Sequence, residues 1–160
     1  MSKGAVAIAS IAAIVALLIG LWAVQQSPSA DSRQFALIVG ETKEDAEVGG
    51  YALVGAPITS PGPTIRVRKG DRVTITLSNV HGIYHGEKVP HNLVVVTEKE
   101  QSAEPLWGAQ IGGTRYPDWI DAGRSGSVTF APQTAGRFFY ICSLPGHLGR
   151  GMYGSFVVEE

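Results

Sequence analysis

The chain has 160 residues, with 13 Lys+Arg against 14 Asp+Glu, four His and one Cys, for a formal net charge of -1. No basic stripe marks a nucleic-acid partner, no acidic tail marks a charged lure, and a lone Cys excludes an intrachain disulfide framework. Gly 20 and Pro 9 suit an all-β domain with many turns. A domain of roughly 125–130 residues buries about two-thirds of its unfolded surface and needs no staple.

Residues 4–24 (GAVAIASIAAIVALLIGLWAV) form an apolar run without charge, about the 20 residues that cross a bilayer as a helix. Trp22 sits at its outer end, where an indole favours the interface, and Lys3 is the only charge before it. The positive-inside rule then leaves the N-terminus in the cytoplasm and the rest of the chain outside. A cleaved signal peptide is the rival reading, but its apolar stretch is shorter and ends at a small-x-small site. Here Pro28 precedes Ala30 by two positions, a poor match, and an uncleaved anchor is favoured. The organisation expected is a transmembrane anchor over 1–24, a polar linker over 25–34 and one domain over 35–160.

Within that domain, FALIV (35–39) is a first strand and YALVG (51–55) a further short one, separated by a polar, Gly-flanked loop. TIRVRKGDRVTITL alternates, so Ile65, Val67, Val73, Ile75 and Leu77 face a core, with Lys69-Gly70-Asp71 as the turn. SNVHGIYHGEKVP (78–90) reads as a loop and HNLVVV as a buried strand. Residues 101–124 read as a long irregular segment with a short helical turn, carrying Trp107, Tyr116 and Trp119. SGSVTF, RFFYI and YGSFVV complete seven or eight short strands, the pattern of a β-sandwich.

The chemistry concentrates between the last two strands. In FFYICSLPGHLGRGMYGSFVV, Cys142, His147 and Met152 follow one another at intervals of five residues on a Gly-rich loop. Thiolate and thioether favour copper, and a His₂Cys plane with a long axial Met describes an electron-transfer site. Singly, Cys142 and Met152 are ordinary buried fillers and His147 an ordinary surface histidine; jointly, with Gly146, Gly149, Gly151 and Gly154 shaping the loop, they predict a metal site. The set lacks one imidazole, to be chosen among His81, His85 and His91. His91 opens an apolar strand after Pro90 and is favoured; His85 is the reserve.

The Cys-x4-His-x4-Met loop, PGPTIRVRKGDRVTITLSN, PHNLVVV and AGRSGSVTFAPQTAGRFFYIC together resemble the cupredoxins, the type 1 (blue) copper proteins. The ligand-loop spacing is most similar to the sulfocyanin, rusticyanin and auracyanin group, and the resemblance runs from about Thr64 to the end. It implies a Greek-key β-sandwich binding one copper ion through His91, Cys142, His147 and Met152. It also implies a backbone N–H of Asn92 pointing at the Cys142 sulfur, and an Asn92 side chain tying the ligand segments together through Ser143. The expected function is one-electron transfer on the extracytoplasmic side of the cell membrane, not catalysis. A quinol-oxidising complex and a terminal oxidase or reductase are the expected partners. Two other classes compete. The strand-and-His pattern also resembles the first domain of multicopper oxidases, but four His cannot build their trinuclear cluster. A copper carrier or storage protein would favour exposed Met, and this chain has two Met, one of them the initiator.

Overall fold

The computed structural model describes residues 30–80, 83–84, 87–113, 115 and 117–160. The 4–24 run, His81, His85 and Tyr116 lie outside them. Among the described residues no helix is long and apolar enough to cross a membrane.

Residues 31–160 form one compact unit, in which the described residues make eleven strands: β1 (Ser32–Glu41), β2 (Gly49–Leu53), β3 (Gly62–Arg68), β4 (Arg72–Asn79), β5 (Ile83–Tyr84), β6 (Glu87–Lys88), β7 (Leu93–Val96), β8 (Gln110–Ile111), β9 (Ser125–Phe130), β10 (Gly136–Ile141) and β11 (Tyr153–Glu159). One sheet runs in the order β2-β1-β4-β9 and a second β3-β11-β10-β7-β8, with β5 and β6 as a separate small ladder. β1 lies parallel to β4, and β3 parallel to β11. This is an all-β sandwich.

The alternation in the sequence explains the packing. Ile65, Val67, Val73, Ile75 and Leu77 all enter one core with Leu37, Val39, Leu93, Val95, Tyr140 and Phe156. The intervening residues of β4 face outward, where Thr74, Thr76 and Ser78 meet Thr129, Ser127 and Ser125 across the strand pair at 2.9, 3.3 and 2.9 Å. β7 does not alternate because both its faces are covered. Leu93 and Val95 join the main core, while Val94 and Val96 pack with Ile141 under Phe139, Leu148 and Tyr153. A strand buried on both sides reads as a continuous apolar run.

Several elements differ from the sequence reading. β1 starts at Ser32 rather than Phe35, because its first residues pair in register with Arg72, Val73 and Thr74 of β4. Gly49 and Gly50 belong to β2, opposite Glu41 and Gly40. The 78–90 loop contains the β5–β6 ladder. The 101–124 segment holds a 3-10 turn at Leu106–Gly108 and the strand β8, which pairs with β7. Trp107 has a φ of 54°, and its ring packs edge-on against Phe138 at 4.9 Å and stacks on Phe130 at 6.4 Å. That aromatic contact holds a backbone conformation unusual for a bulky residue.

Gly70, at φ 85°, turns the chain from β3 into β4. Asp71 beside it is buried, not a solvated turn residue. It accepts from the backbone N–H groups of Arg68 (2.8 Å) and Asp31 (3.2 Å) and from Arg33 Nε (3.4 Å). The C-terminal end of β11 joins the same pole, with Lys69 N–H donating to Glu159 O at 2.8 Å.

Candidate metal centre

The opposite pole is built from the loop between β10 and β11 and from the approach to β7. Leaving β10, the chain turns tightly: His147 N–H donates to Leu144 O (3.1 Å), Gly151 N–H to Leu148 O (3.0 Å) and Met152 N–H to His147 O (3.3 Å). Gly146 and Gly151 take φ of 81° and 87°, a region in which a Cβ is strained. Cys142 N–H closes the loop on Met152 O at 3.0 Å. Arg150 pins it to the preceding β1–β2 connection through Ala46 O and Glu47 O, at 2.8 and 2.9 Å.

His91 comes from the other side. Its N–H donates to Ile120 O at 3.0 Å and its carbonyl accepts from Ile120 N–H at 2.9 Å. Asn79, buried at the end of β4, donates through Nδ2 to both Val89 O and Ile120 O at 2.9 Å. The segment before His91 and its bridging partner are thus braced by one side chain.

These elements bring three ligand atoms together. His91 Nδ1 lies 3.3 Å from His147 Nδ1, and Cys142 Sγ lies 3.2 Å from the same nitrogen. Among the described residues His91, Cys142 and His147 form a group whose ligand atoms all fall within 4.8 Å of one another. Exposure is 3% for His91, 0% for Cys142 and 9% for His147. Met152 is fully buried in the same core. Its thioether occupies space that a Cβ on Gly49 would fill, since that atom would stand 2.6 Å from Met152 Cγ and 2.7 Å from Sδ.

Burial sets the protonation. Desolvation first, then His147 and Arg150, lowers His91 from its ordinary 6.5 to about 3. Desolvation first, then Arg150, lowers His147 to about 4. Both rings are neutral near pH 7 and present lone pairs, as metal ligation requires. Burial pushes the Cys142 thiol up to about 11, against hydrogen bonds from the Asn92 and Leu144 N–H groups and the Tyr51 hydroxyl that favour its thiolate. A cation that replaces the thiol proton relieves this cost. Among the described residues His91 Nε2 is buried without a hydrogen-bond partner. Two imidazoles and a thiol turned inward on one another, dry and uncharged, fit a soft cation such as copper.

Asn92 brackets the site. Its Oδ1 accepts from Ser143 N–H (2.8 Å) and its Nδ2 donates to Ser143 Oγ (2.9 Å) and Gly113 O (3.0 Å). Sequence reasoning missed Tyr51, Gly49, Asn79 and Leu144 N–H as parts of this pole. The Gly-Gly-aromatic start of β2 was the available signal, because Gly inside a strand often marks close approach of a neighbour. Leu144 is buried in the core. Pro145 and Gly146 are the exposed residues beside His147.

A β-sandwich with two imidazoles and a cysteine converging at one pole defines the class of cupredoxins, with a candidate single type 1 copper site. The family model for copper binding proteins of the plastocyanin/azurin family matches residues 60–159, and the chain belongs to that family. Rusticyanin of Acidithiobacillus ferrooxidans is 29% identical over 122 residues, covering 70% of this chain and 62% of that protein. The copper-resistant cuproprotein CopI of Rubrivivax gelatinosus is 32% identical over 104 residues, 60% of this chain and 57% of that protein. The chain thus spans about three-fifths of the length of these curated relatives. Among solved structures, auracyanin B superimposes with a TM-score of 0.51 at 21% identity, covering 85% of this chain and 93% of that one. The blue copper oxidase of Nitrosomonas europaea gives 0.58 at 25% identity, covering 81% of this chain and 39% of that one.

Proposed function

We propose that this protein is a membrane-anchored type 1 copper protein that carries single electrons on the extracytoplasmic side. The observation that carries the reading is the buried convergence of His91, Cys142 and His147, whose ligand atoms lie within 4.8 Å of one another. His91, Cys142 and His147 supply the equatorial ligands and Met152 the axial thioether. When bound, copper supplies one-electron exchange between its two common oxidation states. The protein supplies a ligand frame fixed from both sides, by the Asn92–Ser143 bracket and the Asn79–Ile120 brace, so that little moves when charge changes.

The 1–24 run is the anchor, and the residues between it and Asp31, where the compact copper domain begins, are the tether. The chain joins the sandwich at Asp31, beside Asp71, while the far end of β4, at Asn79, supports His91. The seven residue steps of β4 separate those points by roughly 23 Å. Redox partners such as a quinol-oxidising complex and a terminal oxidase or reductase would dock at the His147 edge, beside exposed Pro145 and Gly146. Catalysis is not part of the reading, because four protein ligands leave no open position for substrate. The groove lined by Ile38, Thr42, Lys43, Ala56 and Ile58 includes none of those ligands.

The similarity to CopI, a copper-resistant cuproprotein, favours a second reading, in which the chain holds copper for delivery. Ligand exposure of 9% or less disfavours ready exchange. The two readings separate on copper release. Copper-loaded protein challenged with a mild Cu(I) chelator retains its metal through repeated reduction and reoxidation if it is an electron carrier. Stoichiometric loss within minutes of reduction would favour delivery.

A further inference from the structure

The ligand loop has two halves, and each is gripped from a different place. Its first half is held by Asn92, through Ser143 N–H and Oγ. Arg150, Gly151 and Met152, in the second half, are held by residues 46–60, none of which is a candidate ligand. Arg150 Nη2 and Nε donate to the successive carbonyls Ala46 O and Glu47 O, at 2.8 and 2.9 Å. Gly49 N–H returns a bond to Arg150 O at 3.0 Å. Ser60 Oγ donates to Gly151 O at 2.8 Å and occupies the space that a Cβ on Gly151 would need.

A closed turn presents those two carbonyls. Thr42 N–H donates to Val48 O at 2.9 Å, Val48 N–H to Asp45 O at 3.1 Å, and Glu47 N–H to Asp45 Oδ1 at 2.8 Å. Neighbouring acceptors on a fixed turn suit the planar fork of a guanidinium, which meets both at once.

Met152 depends on such a frame more than the other ligands do. A long axial thioether contact is weak, and a Met side chain has several rotatable bonds, so a metal does not fix it. Its place follows from its backbone and from what packs against it. Cys142 N–H ties the backbone by donating to Met152 O at 3.0 Å. The thioether lies against Gly49, where a Cβ would stand 2.7 Å from Sδ. Gly49 is thus bonded to Arg150 and in contact with Met152, so moving the 46–49 segment moves the wall behind the sulfur.

We propose that Arg150 is a positioning residue for Met152: by fastening the β1–β2 connection to the ligand loop, it fixes the axial sulfur independently of the Asn92 bracket. The inference rests on the reading of Met152 as the axial copper ligand. It divides the work at this pole, with one grip for the thiolate and another for the thioether.

The test uses the full-length protein, first metal-free and then copper-loaded. Arg150→Met keeps an unbranched stem and removes the donors. In the metal-free protein, hydrogen exchange at the Gly49 and Met152 N–H groups should quicken about tenfold, while Ser143 N–H changes by less than about twofold. In the copper-loaded protein, a sulfur spread over several positions should broaden the copper hyperfine lines in electron paramagnetic resonance. Arg150→Lys, which keeps the charge but not the fork, should fall between wild type and Arg150→Met on both readouts. Unchanged exchange at Gly49 and Met152, or an equal rise at Ser143, would overturn the proposal. Faster exchange with unbroadened copper lines overturns it too, leaving Arg150 a residue of the fold alone. If Arg150→Met does not fold, Arg150→Lys carries the same comparison. Met152→Leu tests the reading beneath: a hyperfine pattern it leaves unaltered removes Met152 as axial ligand, and this inference with it. A pattern altered by Met152→Leu but not by Arg150→Met removes the role of Arg150 alone.

Discussion

Asp71 at one pole and the His91, Cys142 and His147 group at the other are all buried polar side chains, in the same sandwich and at the two ends of the same strand β4. Asp71 is satisfied by the protein: two backbone N–H groups and Arg33 Nε point at its oxygens. Nothing is left over, and its work is to fasten the start of β1 to the β3–β4 turn. The three candidate ligand residues turn toward one another instead: His91 Nδ1 lies 3.3 Å and Cys142 Sγ 3.2 Å from His147 Nδ1. A buried carboxylate fastened to backbone donors is structural. Two imidazoles and a thiol that meet one another leave a place for a soft cation to take.

The contrast can be broken most severely at Cys142. Cys142→Ser should abolish the visible thiolate band completely and leave the fold intact by circular dichroism. A variant that still turned blue would mean that the thiol is not a ligand. Acid comes next. Both histidines have folded values, about 3 and about 4, below the ordinary 6.5. The unfolded chain therefore binds more protons across that window. The histidines' contribution to the stability of the metal-free protein is level above pH 6.5 and falls as pH drops toward 3–4, by an order of several kcal/mol. Copper holds the same rings deprotonated, so the loaded protein should unfold at a lower pH than the apoprotein. Coincident acid midpoints would contradict the assignment.

Asp71→Ala tests the other pole. It strands two backbone donors and should cost about 1–3 kcal/mol in denaturant melts, with little added by the pairing to half-exposed Arg33. The copper spectrum and midpoint should not change. A shifted midpoint would show that the poles are coupled. A comparable cost of about 1–3 kcal/mol is expected from Gly49→Ala, whose new methyl must displace the Met152 thioether. The copper hyperfine splitting in electron paramagnetic resonance should change with it. An unaltered splitting would remove Met152 from the axial position.

The comparison also explains what could be read from sequence. The ligand loop was legible because Cys142, His147 and Met152 lie within eleven residues and their types carry the chemistry. His91 was legible from its place at the start of an apolar strand. The core of β3 and β4 followed from alternation. What stayed hidden was brought in by sheet register between distant segments. Tyr51 meets Asn92 across 41 positions, Gly49 meets Met152, and Asn79 reaches Ile120 across another 41. None of these has a local pattern, since β2 is five residues long and wholly buried but for Leu53. Asp71 looked like an ordinary turn residue for the same reason: its partners Asp31 and Arg33 lie at the entry to β1, some 40 positions earlier.

The most direct measurement is the visible spectrum of the full-length, copper-loaded protein through one cycle of reduction and reoxidation. An intense blue or green band that bleaches on reduction and returns in full on oxidation is the result expected of His91, Cys142 and His147 acting together on copper. A colourless protein that binds only Cu(I), or one whose colour does not return, would contradict the electron-carrier account and favour copper delivery.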